Sequence, residues 1–117
     1  MIISKTFVWS AAHKLELPYK SQCEKLHGHS YEVRVCVEGP INENGMVMDF
    51  SVLKDTINKY GFDHSYLNDF MNDNPTAENL VIFMKGMILN THCLPKTVKL
   101  KSVRVWETPT SFAEETW

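Results

Sequence analysis

Residues 27–38, from His27 to Glu38, constrain the fold more than any other stretch of the chain. In an extended backbone, residues two apart point the same way, so His27, His29, Tyr31, Val33 and Val35 share one face. Two imidazoles thus stand at the mouth of a strand whose same face is otherwise apolar, and Gly39-Pro40 stops the run. Such an arrangement suits a metal site set into the wall of a sheet. It also suits a polar turn that merely enters a strand, because a bare His-x-His is common.

A second stripe separates these readings. Phe7, Trp9, Ala11 and His13 fall on one face of an extended segment over residues 2–13, so His13 ends one apolar stripe as His29 begins another. A catalytic zinc takes three protein ligands and leaves a position open, and neutral imidazole is a good ligand for it. His13, His27 and His29 are therefore the candidate ligands, with copper, nickel and iron as chemically acceptable alternatives to zinc.

The rest of the chain alternates less strictly. Pro18 and a polar composition make 14–25 a loop, and Asn44-Gly45 sits in a polar connection. Phe50, Leu53, Ile57 and Tyr60 predict a helix over 49–60, capped by Asp49 or Ser51 and ended by Gly61. Thr76 is the expected cap of a second helix reaching about Asn90, with Glu78 against its positive end. A last strand covers 97–107, with room for a short tail element beside it. Strand, strand, helix, helix, strand is an α+β plan: one small antiparallel sheet with two helices packed on one face. A chain of 117 residues is expected to form a single domain, 1–117, hiding roughly two thirds of its unfolded surface. The exposed edges of so small a sheet make a homo-oligomer the expected state.

Composition narrows the function. Twelve basic against fourteen acidic residues, a formal charge of −2, give no electrostatic case for nucleic acid or a membrane surface. No apolar run approaches the roughly 18 residues of a membrane span, and Met-Ile-Ile-Ser-Lys-Thr does not read as a signal peptide. Three cysteines at unrelated spacings do not form a disulfide framework, so a reducing, cytoplasmic setting is expected. Cys36 and Cys93 read as packing residues. Cys23, four residues before His27, would become a base or nucleophile if folded back toward a metal, and is otherwise a plain loop cysteine. Asp63-His64 pairs a carboxylate with an imidazole in a loop. Glu107 stands on the same strand face as Val103 and Val105 and needs a partner there. A carboxylate accepts two parallel hydrogen bonds from an amidine-like edge such as that of a pterin or guanine.

Taken together, Cys23-x3-His27-Gly28-His29-Ser30-Tyr31 with His13, Phe62-Asp63-His64-x2-Leu67-Asn68, Pro75-Thr76-Ala77-Glu78-Asn79-Leu80 and Val105-Trp106-Glu107-Thr108 resemble the 6-pyruvoyltetrahydropterin synthase family in order and over the whole chain. The gap of three residues between the thiol and His-Gly-His resembles the bacterial branch that makes 6-carboxytetrahydropterin for queuosine. Another branch carries glutamate in place of the cysteine. The resemblance implies a tunnelling fold whose sheets close into a barrel in a trimer, two trimers stacking as a hexamer. It implies a lyase acting on 7,8-dihydroneopterin triphosphate, with Zn²⁺ on His13, His27 and His29. Cys23 would be the base, Asp63 and His64 a proton relay, and Glu107 the anchor of the pterin edge. Thr76 and Glu78 would reach the pterin from a neighbouring subunit, and Lys14, Lys20 and Lys25 are the loop cations available to the triphosphate. A pyruvoyl product from the same substrate, or a non-catalytic zinc- or pterin-binding protein of this fold, are the alternatives it leaves.

Overall fold

The computed structural model describes residues 1–117. Two twelve-residue strands, β1 (Ile2–His13) and β2 (His27–Glu38), form a long antiparallel ladder in which His13 stands opposite His27. Their odd-numbered residues turn inward: Phe7, Trp9, Ala11 and His13 from β1, and Tyr31, Val33, Val35 and Val37 from β2, are all buried. The alternation read from the sequence is the alternation of the folded sheet.

Helix α1 (Phe50–Asn58) starts where Asp49 accepts a hydrogen bond from the Ser51 amide, and Gly61 follows it with φ of 69°. Only Leu53 and Ile57 of its expected stripe are buried; Phe50 and Tyr60 stay about half exposed. Tyr60 instead stacks on Phe62, its ring centroid 5.7 Å away. Helix α2 (Ala77–Asn90) begins at Thr76, whose hydroxyl accepts from the Asn79 amide. Its Leu80, Val81, Met84, Met87 and Ile88 join Leu53 and Ile57 in one core against the odd face of the sheet.

The sheet departs from the expected purely antiparallel form. A two-residue strand, β3 (Ser65–Tyr66), pairs in parallel with Ala11 and Ala12 of β1, giving the five-stranded order β3-β1-β2-β4-β5. So short a strand has no periodicity to read. Strand β4 (Lys99–Thr108) also breaks simple alternation. Leu100 pairs with Val37 but Ser102 pairs with Cys36, so Lys101 has no opposite number. The bulge changes parity, and Val98 and Leu100 point inward together with Val103 and Val105. The tail element exists as β5 (Ser111–Thr116), antiparallel to β4. Met46-Val47-Met48 is an approach to α1 rather than a strand. The single chain leaves both sheet edges open; the barrel of the expected trimer is not a property of one chain.

Candidate metal centre

Strand register assembles the centre. The end of β1 and the start of β2 bring His13 and His27 face to face, His29 follows one inward position later, and β4 delivers Glu107 beside them. One nitrogen from each imidazole and one Glu107 oxygen all lie within 4.8 Å of one another. A tetrahedral ion about 2.0–2.1 Å from each ligand separates its ligands by roughly 3.3 Å; His13 Nε2 stands 2.9 Å from His27 Nε2 and 3.8 Å from Glu107 Oε1, which is that scale.

The tautomers support the same reading. His13 Nδ1–H donates to the Pro75 carbonyl at 2.8 Å, and His27 Nδ1–H donates to the Lys25 carbonyl at 2.6 Å. A carbonyl only accepts, so each Nδ1 carries a proton, and in the neutral imidazole that leaves the lone pair on Nε2. Those two Nε2 atoms face each other at 2.9 Å. Two lone pairs at that separation repel unless a positive centre lies between them. His29 Nε2 is buried without a hydrogen-bond partner: Glu107 Oε1 approaches to 2.9 Å but without hydrogen-bond alignment. An unpartnered buried nitrogen beside two opposed ring nitrogens is a donor set that suits a cation.

Burial favours the neutral form of His13 and holds its pKa below the usual 6.5, against the raising effect of the Pro75 carbonyl. Beneath the cluster, Tyr31 is fully buried with its hydroxyl 3.0 Å from His13 Nδ1. Burial first, then the charge of Glu107, push its phenol well above 10, so it stays neutral. Neither Tyr31 nor the Pro75 and Lys25 carbonyls stand out in the sequence as parts of a site. Tyr31 could have been found as the next residue on the face of His29, whereas a carbonyl leaves no side-chain signature.

The other expected site residues lie outside this cluster within the chain. Cys23 lies half-buried in a short 3-10 turn, Gln22–Glu24, where the Ser21 hydroxyl accepts from its amide and its own carbonyl accepts from the Leu15 amide. Asp63 and His64 flank β1: the Ser10 amide donates to Asp63 Oδ1 at 2.8 Å, and the His64 amide donates to the Ser10 carbonyl. The Ser10 amide, and secondarily His64, hold the Asp63 carboxyl below its usual value. His64 adopts φ of 59°, sits 3.1 Å from Asp63 Oδ2 and is 81% exposed, so this pair is outside the histidine cluster within one chain. His64 borders, with His29, Ser10, Ser30 and Ser65, an open cleft of about 560 Å³. Thr76 is occupied as a helix cap, and Glu78 borders a cleft against β5 rather than the histidines. Lys20 and Lys25 line one open cleft with Ser21, Gln22 and Glu24.

Fold and site define a small α+β domain carrying a three-histidine, one-carboxylate cluster at one end of its sheet. Residues 2–116 match the profile described as 6-pyruvoyl tetrahydropterin synthase, and the chain belongs to that family. A 6-carboxy-5,6,7,8-tetrahydropterin synthase of Synechocystis is 43% identical over 123 residues, covering 96% of this chain and 90% of its own. A dihydroneopterin monophosphate aldolase of Pyrococcus furiosus is 40% identical over 101 residues, covering 85% of this chain and 82% of its own. Among solved structures, the 6-pyruvoyl tetrahydropterin synthase of Caenorhabditis elegans superposes with a TM-score of 0.84 at 25% identity, covering 100% of this chain and 95% of that one.

Proposed function

We propose that this chain is a zinc-dependent 6-carboxy-5,6,7,8-tetrahydropterin synthase. It converts 7,8-dihydroneopterin triphosphate and water to 6-carboxytetrahydropterin, acetaldehyde and triphosphate, a carbon–carbon lyase step feeding queuosine in the cytoplasm. The observation that carries the reading is the pair of opposed Nε2 lone pairs of His13 and His27, each fixed by a backbone carbonyl, beside the orphaned Nε2 of His29. These three nitrogens hold Zn²⁺, which supplies Lewis acidity toward the hydroxylated side chain of the substrate. Cys23 removes the carbon-bound proton; what supports this reading is its half-buried place in the short turn that leads, four residues on, into His27. Asp63 and His64 handle the second proton; their exposure at the edge of β1 suits a site completed by a neighbouring copy, in a trimer or a dimer of trimers. Glu107 keeps one carboxylate oxygen among the histidines and anchors the amino edge of the pterin. Lys20 and Lys25 receive the triphosphate, and Thr76 and Glu78 reach the pterin of a neighbouring copy.

A second reading rests on Glu24. It follows Cys23 directly and lines the same cleft as Lys20 and Lys25, so the turn offers a carboxylate base as well as a thiol. With the 40% identical aldolase relative, this favours aldol cleavage of dihydroneopterin monophosphate as a companion activity. Zinc-loaded protein incubated with each phosphate ester, followed by product identification with and without chelator, tests both. Acetaldehyde and 6-carboxytetrahydropterin from the triphosphate support the first reading, and a pyruvoyl product in their place sinks it. A hydroxymethyl pterin with a phosphorylated two-carbon aldehyde supports the second.

A further inference from the structure

Beyond His13, the chain leaves the regular ladder but keeps an extended alternation. Asn68 places both ends of its amide on one residue: its Oδ1 accepts from the Lys14 amide at 2.9 Å and its Nδ2 donates to the Lys14 carbonyl at 2.8 Å. Asn74 repeats this two residues later, accepting from the Glu16 amide and donating to the Glu16 carbonyl, each at 2.7 Å. The carbonyl of Asn74 is itself held by Asn79 Nδ2 at 2.8 Å. Two side-chain amides thus act as a substitute β-partner for residues 14–16. Between them Leu15, buried, turns its amide the other way and donates to the Cys23 carbonyl at 2.9 Å. That is the one backbone–backbone hydrogen bond tying the Cys23 turn to the chain beyond β1; on the other side the Lys25 carbonyl accepts from His27 Nδ1, and the remaining bonds of 21–25 are internal to the turn.

We propose that Asn68 and Asn74 are positioning residues for the Cys23 thiol, acting through Lys14, Leu15 and Glu16; this rests on the reading of Cys23 as the base. Without the amide clamp, residues 14–16 have only water as an edge partner, and the Leu15 amide no longer fixes where the turn sits. Asn68 is the cleaner probe, since Asn74 adjoins Pro75, whose carbonyl holds His13.

The test uses zinc-loaded full-length Asn68→Ala. Four quantities are read: metal content, steady-state kinetics, the pH profile of Cys23 alkylation by iodoacetamide resolved by peptide mass spectrometry, and hydrogen exchange at the Leu15 amide. Expected are unchanged zinc, faster exchange at Leu15, a displaced alkylation profile, and kcat lowered by about tenfold to a hundredfold. KM should hold within about twofold. Should the alanine variant not fold, Asn68→Asp keeps the acceptor for Lys14 and lacks only the donor, with a smaller change in the same direction. Unchanged Leu15 exchange and an unchanged alkylation profile overturn the proposal, as does loss of zinc. Cys23→Ala separates the two readings: full turnover in that variant removes Cys23 as base, while Leu15 exchange in Asn68→Ala still reports on the clamp.

Discussion

The phenol oxygen of Tyr31 stands 3.0 Å from His13 Nδ1, the same nitrogen whose proton goes to the Pro75 carbonyl at 2.8 Å. Nothing else in the chain touches that hydroxyl within hydrogen-bond distance, and both residues are fully buried. The Nδ1 proton is therefore shared, the Pro75 carbonyl being its nearer acceptor and the Tyr31 oxygen a second one, so His13 is oriented by the segment that opens α2 and by the strand that carries His27 and His29. Groups that orient a metal-bound histidine typically contribute tenfold or more to metal affinity.

Tyr31→Phe keeps the ring and removes only the hydroxyl. Zinc affinity, measured by competition with a chromophoric chelator, should fall by about tenfold. The melting temperature of the metal-free protein should move little, since the Pro75 bond remains and one neutral hydrogen bond contributes about 1 kcal/mol. An unchanged affinity would leave Pro75 as the sole orienting group.

Asp63 makes a prediction about pH. Its folded pKa lies below the ordinary 3.8 because the Ser10 amide, and then His64, favour the carboxylate. A depressed carboxyl stabilises the fold above its unfolded value and loses that contribution as pH falls through the folded one. The difference in melting temperature between the native chain and Asp63→Asn should thus be constant above about pH 5 and shrink on acidification. A gap that widened in acid would show that the carboxylate is not favoured by folding.

The two long strands and both helix caps were legible because each depends on side-chain pattern alone: valines at every second position, Asp49 and Thr76 before apolar runs. The three histidines were legible for the same reason, as terminal members of those stripes. The parity change at Lys101 was not, because a bulge is decided by pairing with β2 and not by residues 97–107 themselves. Nor was the clamp on residues 14–16. Asn68 and Asn74 sit 54 and 58 residues from their partners, and those partners are backbone atoms. Leu15, inside the polar segment 14–25, continues the buried face of β1 beyond His13.

Gly39 stops β2 for a reason the Gly-Pro pair alone does not disclose. A Cβ there would come within 2.9 Å of the Thr97 carbonyl oxygen and 3.1 Å of Val98 Cγ2. Backbone cannot yield as a flexible side chain can, so Gly39→Ala should destabilise by roughly 1–3 kcal/mol in denaturant unfolding. Because Gly39 lies at the end of β2 far from His27, zinc stoichiometry should be unchanged.

The free part of the β1 edge gives the last test. Ser10 directs its amide and carbonyl toward Asp63 and His64, Lys14 and Glu16 direct theirs toward Asn68 and Asn74, and the period of two extends this orientation back to Val8, Thr6 and Ser4. Strand β3 covers only Ala11 and Ala12, so the main-chain groups of residues 4, 6 and 8 meet no strand within the chain. At the opposite side of the sheet, β5 is likewise an uncovered edge, with Phe112 52% exposed. Antiparallel or parallel docking of β5 from one copy on β1 of the next would cover both, and repetition around a closed ring removes every edge. Thr6→Pro deletes an amide that points outward, leaving the ladder to β2 intact. Light scattering behind size exclusion should show the native chain as a multiple of three protomers and Thr6→Pro as smaller species, with far-ultraviolet circular dichroism preserved. An assembly of undiminished mass would place the interface away from the β1 edge.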